Sequence, residues 1–169
     1  MRKILVTSIV PLLCACTSAP SLDTYSQYDE DYTITKNWQY SPVKEWAISP
    51  EVYDENDGSN TYAVAYPTHG GNINVGIYTT VSACKQFSEN TRSYGVLTYN
   101  RQAVRTSIQC MGKARALIFP TSKKGTEFVI NEFESEDMVV VKEIKSFSTK
   151  GFSKIINLVK QQSKNNLAL

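Results

Sequence analysis

The stretch YGVLTYNRQAVRTSIQC, residues 94–110, decides the fold because it contains two β-type segments separated by a short turn. Both segments contain valine and threonine, tyrosine occurs in the first and isoleucine in the second, and Asn100-Arg101 separates them. From Val104 to Cys110 every other residue is apolar or β-branched, and such residues share one side of a strand. The stretch predicts an antiparallel hairpin with one buried face, on which Cys110 points inward.

Similar segments flank this hairpin and are separated by turn-forming clusters. The further candidate strands are residues 61–66 (TYAVAY), 73–79, 114–120 (ARALIFP), 126–133 (TEFVINEF) and 138–145 (MVVVKEIK). The clusters between them are SPEVYDENDGSN at 49–60, PTHGGN at 67–72 and TSKKG at 121–125. This order predicts a mainly β fold, an antiparallel sandwich or a partly open barrel of about seven strands, in a single domain over residues 36–169.

The hydrophobic period changes to that of a helix only near the C-terminus. Apolar residues recur from Phe152 to Val159 at spacings of three and four, and lysines occupy other positions around the helix. One amphipathic helix over residues 149–163, with Thr149 as its N-cap, is predicted to close the domain. Its apolar stripe is expected to pack against the sheet; a membrane surface is the alternative.

The N-terminus is typical of a secretory signal peptide, because Arg2 and Lys3 precede an apolar run at residues 4–13. At about 1.5 Å per residue this run covers roughly half of a bilayer core, which is too short for a transmembrane helix. The run ends in Leu13-Cys14-Ala15-Cys16, which resembles the bacterial lipobox. In that motif a leucine stands three residues before the cysteine that receives the lipid.

The lipobox resemblance implies a bacterial lipoprotein. Residues 1–15 would be removed, and Cys16 would become an acylated N-terminus whose several acyl chains anchor the protein in a lipid bilayer. Thr17 is not the aspartate that retains such proteins at the inner membrane of enteric-type bacteria, so the resemblance implies the outer membrane, on either its periplasmic or its surface side. A plain secreted protein is the alternative.

Residues 16–35 are polar and acidic without a sustained apolar period, and they predict a flexible tether. Removal of Arg2 and Lys3 lowers the basic side chains from 18 to 16, which equals the 16 acidic ones. A mature chain without net charge gives no support for nucleic-acid binding. The charges are still uneven, since residues 16–100 are acidic on balance and residues 101–169 are basic.

Cys84 and Cys110 would remain after Cys16 in the mature chain. A secreted protein enters an oxidising compartment, so a structural disulfide between them is the first prediction. A metal pair lacks neighbouring His or Cys ligands, and a redox pair normally has its cysteines much closer in sequence.

The run VVVKEIKSFSTKGFSKIINLV, together with the two cysteines that flank a hairpin, resembles the small periplasmic proteins of the invasion-associated locus B type. Those proteins end in a strand, a Phe/Gly-Phe turn and an amphipathic helix, here at Phe147, Gly151 and Phe152. The resemblance covers about the last 90 residues. It implies a disulfide-stapled β domain in the cell envelope and carries no chemistry.

Catalytic and cofactor-binding patterns are absent from the sequence. His69 is the only histidine and falls in a hairpin tip, and neither a Gly-x-Ser-x-Gly motif nor a phosphate-binding glycine loop occurs. The acidic pairs Glu134/Glu136 and Glu136/Asp137 are interpreted as a solvated turn. Neither a cofactor nor a metal is therefore expected.

The expected function is a non-enzymatic accessory or interaction module at the outer membrane, in a secretion, conjugation or adhesion/invasion apparatus. A small-ligand-binding periplasmic β-barrel is the alternative, and a hydrolase is the third candidate. An envelope protein is the expected partner. Its candidate contacts are the aromatic Trp38 and Trp46 and the basic Lys150 and Lys154.

Overall fold

The computed structural model describes residues 36–55, 58–68, 70–84, 90–112 and 114–167. The predicted signal peptide at 1–15, the lipidated Cys16, the tether at 16–35 and His69 lie outside the described residues. The strands are β1 (Gln39–Ser41), β2 (Trp46–Ile48), β3 (Val52–Asp54), β4 (Ser59–Pro67), β5 (Ile73–Thr80), β6 (Arg92–Tyr99), β7 (Gln102–Gly112), β8 (Arg115–Pro120), β9 (Met138–Val141) and β10 (Lys145–Ser148). The helices are α1 (Lys123–Ser135) and α2 (Phe152–Leu167), and a short 3-10 helix spans Ser82–Cys84.

The ten described strands form one antiparallel sheet that curls into a half-barrel, so the mainly β prediction is confirmed. The strand order is β1-β2-β4-β5-β8-β7-β6-β9-β10, and β3 pairs with β4. The prediction of about seven strands is too low, because it omits β1, β2 and β3 and treats β9 and β10 as one strand, although it also includes residues 126–133, which are helical. The strands β1, β2 and β3 have only three residues each. Such strands are too short to show an alternating pattern, and β3 lies inside a stretch predicted as a turn.

The hairpin predicted from residues 94–110 is confirmed as β6 and β7. Tyr99 pairs with Gln102 across the turn, and the inward side of β7 from Val104 to Cys110 is buried. The turn also contacts other elements: the Asn100 amide donates to the Val140 carbonyl, its Oδ1 accepts from the Val140 amide, and its Nδ2 donates to Glu132 of α1. The turn of the hairpin is therefore held against β9 and α1.

Both helices pack on the inner face of the curled sheet. Val129 and Phe133 of α1 and Phe152, Ile156 and Val159 of α2 belong to the same buried cluster as the inward side chains of the strands. Burying these apolar side chains stabilises the fold by about 1.5–3 kcal/mol each. The expectation that the apolar stripe of α2 packs on the sheet is confirmed.

The prediction of a strand at residues 126–133 is wrong, because these residues form the middle of α1. Ser122 caps this helix: its backbone is extended, and its Oγ accepts a hydrogen bond from the Gly125 amide at 3.1 Å. Val129 and Phe133 are four residues apart and are buried together on one helical face. The chain therefore has a second helix that the sequence pattern did not predict.

The C-terminal helix begins at Phe152 and ends at Leu167, three residues later at its start and four residues later at its end than predicted. Thr149 does not cap it with its side chain, since the Thr149 hydroxyl donates to the Glu136 carbonyl. Gly151 precedes the helix with φ of +87°, a conformation that favours glycine. The turn at Gly151 thus sets the start of the helix.

Trp38 is 3 % exposed, so the prediction that it contacts a partner is wrong. Its indole packs edge-on against Phe133 at 5.3 Å and against Phe152 at 4.7 Å between ring centroids. Its Nε1 donates to the Ser148 carbonyl at 2.7 Å, and its backbone amide donates to the Lys150 carbonyl at 2.9 Å. Trp38 therefore joins the first strand region to both helices and to the end of β10.

We expect Trp38→Ala to lower the free energy of unfolding by about 3–5 kcal/mol, because it leaves a cavity between two aromatic rings. Trp38→Phe should cost less, about 1–2 kcal/mol, since it keeps a ring and removes the indole hydrogen bond. Urea unfolding followed by circular dichroism measures both values. Equal stability of the two variants would contradict the proposed bridging role.

The disulfide prediction is confirmed, since Cys84 and Cys110 are bonded and their Cα atoms are 5.6 Å apart. Both cysteines are buried in the inner cluster. The bond ties the 3-10 helix to β7 across a sequence separation of 26 residues. It thereby holds the segment that follows β5 against the hairpin.

Replacing both Cys84 and Cys110 by alanine is expected to lower the free energy of unfolding by about 3.5 kcal/mol, because the unfolded chain regains the entropy of the closed loop. Guanidinium unfolding of the oxidised wild type and of the double variant measures the difference. Wild-type protein treated with reductant should behave like the variant. A loss well below 1 kcal/mol would show that the loop constraint contributes little.

Candidate functional site

The outer face of the sheet carries an apolar cluster to which no described helix residue belongs. This cluster, called here the aromatic face, consists of Trp46, Ile48, Tyr62, Val64, Tyr66, Tyr78, Leu117 and Phe119. Ile48, Val64 and Leu117 are buried at its base, while the aromatic rings are partly exposed. The sheet is thus apolar on both faces, and the described helices cover only the inner one.

Strand register places the rings of the aromatic face in two pairs. Tyr62 and Tyr78 are direct cross-strand neighbours, and their rings stack at 5.0 Å with 21° between planes. Trp46 and Tyr66 lie 5.5 Å apart with an angle of 41°. Both pairs lie on β2, β4 and β5, so a rigid ladder of backbone hydrogen bonds holds them in place.

Gly76 lies between the ring pairs and lets the neighbouring strand approach closely. A Cβ atom at this position would stand 2.9 Å from the Ile118 carbonyl oxygen and 2.9 Å from Leu117 Cδ1. The absence of a side chain therefore allows Leu117 and Phe119 to pack across β5.

Cations surround the rings of the aromatic face. Lys44 Nζ lies 5.6 Å from the ring centroids of both Trp46 and Tyr78, and the guanidinium of Arg115 lies 5.9 Å from that of Tyr78. The five central strands, β4, β5, β6, β7 and β8, contain three arginines and neither aspartate nor glutamate. The outer face is therefore both aromatic and electropositive.

Burial raises the pKa of the Tyr66 phenol well above its ordinary value of 10.0, and a hydrogen bond with Asn74 opposes part of this increase. Burial also raises the pKa of Tyr99, and the nearby Tyr66 adds to the increase. The Tyr99 hydroxyl is buried and has no hydrogen-bond partner among the described residues. Both phenols are consequently neutral in the folded protein far into the alkaline range.

Stability should therefore fall at alkaline pH. Because the unfolded chain releases these protons near pH 10 and the folded chain holds them to higher pH, the stabilisation is complete below about pH 10 and is lost above it. The urea midpoint measured from about pH 8 to about pH 11 reports this loss. In the Tyr66→Phe variant the urea midpoint should decrease less steeply with pH. Tyr53→Phe, at a position 61 % exposed, should leave this decrease unchanged.

A second feature of the outer face is a β-bulge in β6. The register with β7 shifts between Ser93 and Gly95, so Tyr94 is an extra residue. Gly95 has φ of +137°, which a side chain would strain. An open cavity of about 470 Å³ lies at the bulge. We call it the bulge cavity; its lining residues are mostly polar or basic, among them Thr91, Arg92, Ser93, Arg105, Ser107 and Thr121, and their carbon atoms supply most of its surface.

The residues predicted as partner contacts are dispersed in the structure. Trp46 is half-buried in the aromatic face, while Lys150 and Lys154 are exposed beside the start of α2. Sequence reasoning missed the other members of the aromatic face, of which Tyr62 and Tyr66 alternate with inward alanines in the TYAVAY segment. That alternation of large aromatic and small residues was the signal that this strand has two apolar sides.

Among the described residues, no group of three or more His, Cys, Asp or Glu side chains is placed to hold a metal ion. No helix in the described ranges is long and apolar enough to cross a membrane.

No family model matches this chain, and neither a curated protein nor a solved structure shows significant similarity to it. The lipobox and the locus B resemblance therefore stay predictions from the sequence.

Proposed function

We propose that this protein is a non-enzymatic lipoprotein, anchored at the outer membrane through Cys16, that docks an envelope protein on its aromatic face. The observation that carries the proposal is an electropositive aromatic surface on a rigid sheet, left uncovered by the described helices. Envelope location rests on the signal peptide and the lipobox pattern of the sequence.

The composition of the aromatic face supports a protein partner. Tryptophan, tyrosine and arginine are the residues that dominate binding energy at protein interfaces, and Trp46, Tyr62 and Arg115 stand here within one patch. The buried Ile48, Val64 and Leu117 hold the rings from below, so little side-chain entropy is lost on binding.

The charges of the aromatic face define the partner further. Lys44 and Arg115 border the rings, and the central strands offer no carboxylate to neutralise them. A complementary surface has an apolar centre with aspartate or glutamate around it. We therefore assign the face to an acidic envelope protein.

The interior of the half-barrel supports this function over a ligand-binding barrel. A barrel that holds a small apolar ligand needs an interior with few filling side chains. Here the rings of Trp38, Phe133 and Phe152 contact one another inside the sheet, together with the buried Phe147. The helices thus occupy the place where such a ligand would bind.

Photo-crosslinking in cells tests the docking proposal. With p-benzoylphenylalanine in place of Tyr62, we expect one discrete protein adduct, and its crosslinked partner peptide should carry aspartate or glutamate close to the attachment point. Lys44→Glu should lower the adduct yield at least about threefold, because it places like charges at the rim. Cys16→Ser should release the chain from the membrane fraction and abolish the adduct.

Two matched controls accompany this experiment. The photoprobe at Leu158, which is 39 % exposed on α2, should give no such adduct, and Lys124→Glu on α1 makes the same charge change away from the aromatic face. Equal adducts at both probe positions, or equal losses with both lysine variants, would refute the docking surface. An adduct within the chain to residues 23–31 would assign the face to the acidic tether and refute an external partner. A Cys16→Ser chain that stays in the membrane fraction would refute the lipid anchor alone.

A further inference from the structure

The bulge cavity lies on the outer side of β6 and β7. Ser107 pairs directly with Phe119 of the aromatic face, and directly paired residues of antiparallel strands point to the same side of a sheet. By the same rule, Val96 pairs with Arg105 and both point outward. The extra residue at the bulge widens the ladder at this point, and the cavity opens there.

The lining of the bulge cavity is basic and rich in hydroxyl groups. Arg92 and Arg105 both line it, and the lining includes neither aspartate nor glutamate. The hydroxyls of Ser107 and Thr121 are 3.0 Å apart and share a hydrogen bond, so each keeps capacity for a second one. Ser107 is only 7 % exposed, which fixes this hydroxyl pair at the cavity wall.

Arg105 has no carboxylate within ion-pair distance in the part of the chain that the structure describes. Its guanidinium carries a permanent charge and presents a planar fork of donors, which matches the two oxygens of a carboxylate or phosphate. At the cavity wall, this guanidinium is suited to bind one oxyanion.

We propose that the bulge cavity binds a small hydroxylated ligand through an oxyanion on it, either a carboxylate or a phosphate. Arg105 recognises the charged group, and the hydroxyls of Ser107 and Thr121 recognise the hydroxyl groups of the ligand. The volume of about 470 Å³ lies in the range of small-molecule sites and exceeds what a bare anion fills. This site needs no protein partner and is independent of docking on the aromatic face.

An NMR titration of the purified, isotope-labelled full chain at constant ionic strength tests the site. The probes are glucose 6-phosphate, glucuronate, inorganic phosphate and neutral glucose. The amide resonances of Gly95 and Ser107 should shift saturably with a sugar phosphate or with glucuronate. The tighter of the two identifies the oxyanion as phosphate or carboxylate.

Arg105→Gln should weaken binding at least about tenfold, as expected when a charge-assisted hydrogen bond is lost. Arg101→Gln makes an equal charge change at the exposed turn between β6 and β7, away from the cavity lining, and should leave binding unchanged.

Each other outcome refutes a defined part of the proposal. Equal affinity for glucose would refute oxyanion recognition, and equal affinity for inorganic phosphate would refute a role of the hydroxyl groups. An equal loss of affinity in Arg101→Gln would show that the effect of Arg105→Gln comes only from the change in net charge. No shift at Gly95 and Ser107 with any probe would refute the site itself.

Discussion

The position of Trp38 at the closure of the half-barrel is the constraint on which the rest of the structure depends. A curled sheet has two ends, and here one end bonds to the other through the indole and backbone of a single residue. The same ring contacts both Phe133 and Phe152, which also contact each other, and so holds both helices inside the curl. The ion pair between Asp54 of β3 and Lys145 of β10 lies along the same closure. These contacts cover the inner face of the sheet, and the outer face stays accessible to a binding partner.

The hairpin and the C-terminal helix were predictable because each depends on local spacing, and the disulfide was predictable because only two cysteines follow Cys16 in a chain with a predicted signal peptide. Cys110 lies on the inward side of β7 by simple alternation, and burial of Phe152 and Val159 follows from helical spacing. The second helix was not predictable in this way. In the segment at 126–133 large apolar residues occur both in alternation and four apart, and only the cap at Ser122 distinguishes the two periods.

The role of the tryptophans was also outside what sequence patterns reveal. Trp38 and Trp46 each follow a lysine and a second polar residue in the sequence, yet one closes the core and the other lies on the outer surface. Pairing between β1, β2 and β4 determines which face of the sheet each tryptophan occupies, and this pairing joins separate segments of the chain. The aromatic face has the same origin, since its members come from four strands that become neighbours only in the folded sheet.

The curl of the sheet has a consequence for any molecule that meets its outer side. Side chains on the convex side of a bent sheet diverge from one another, whereas those on the concave side converge. The Tyr62–Tyr78 and Trp46–Tyr66 pairs therefore stand as ridges with a furrow between them, and the side chains of Val64 and Leu117 lie at its base. A flat surface would touch only the crests of these ridges. Shape alone thus selects for a concave counterpart, or for one that projects a slender side chain into the furrow.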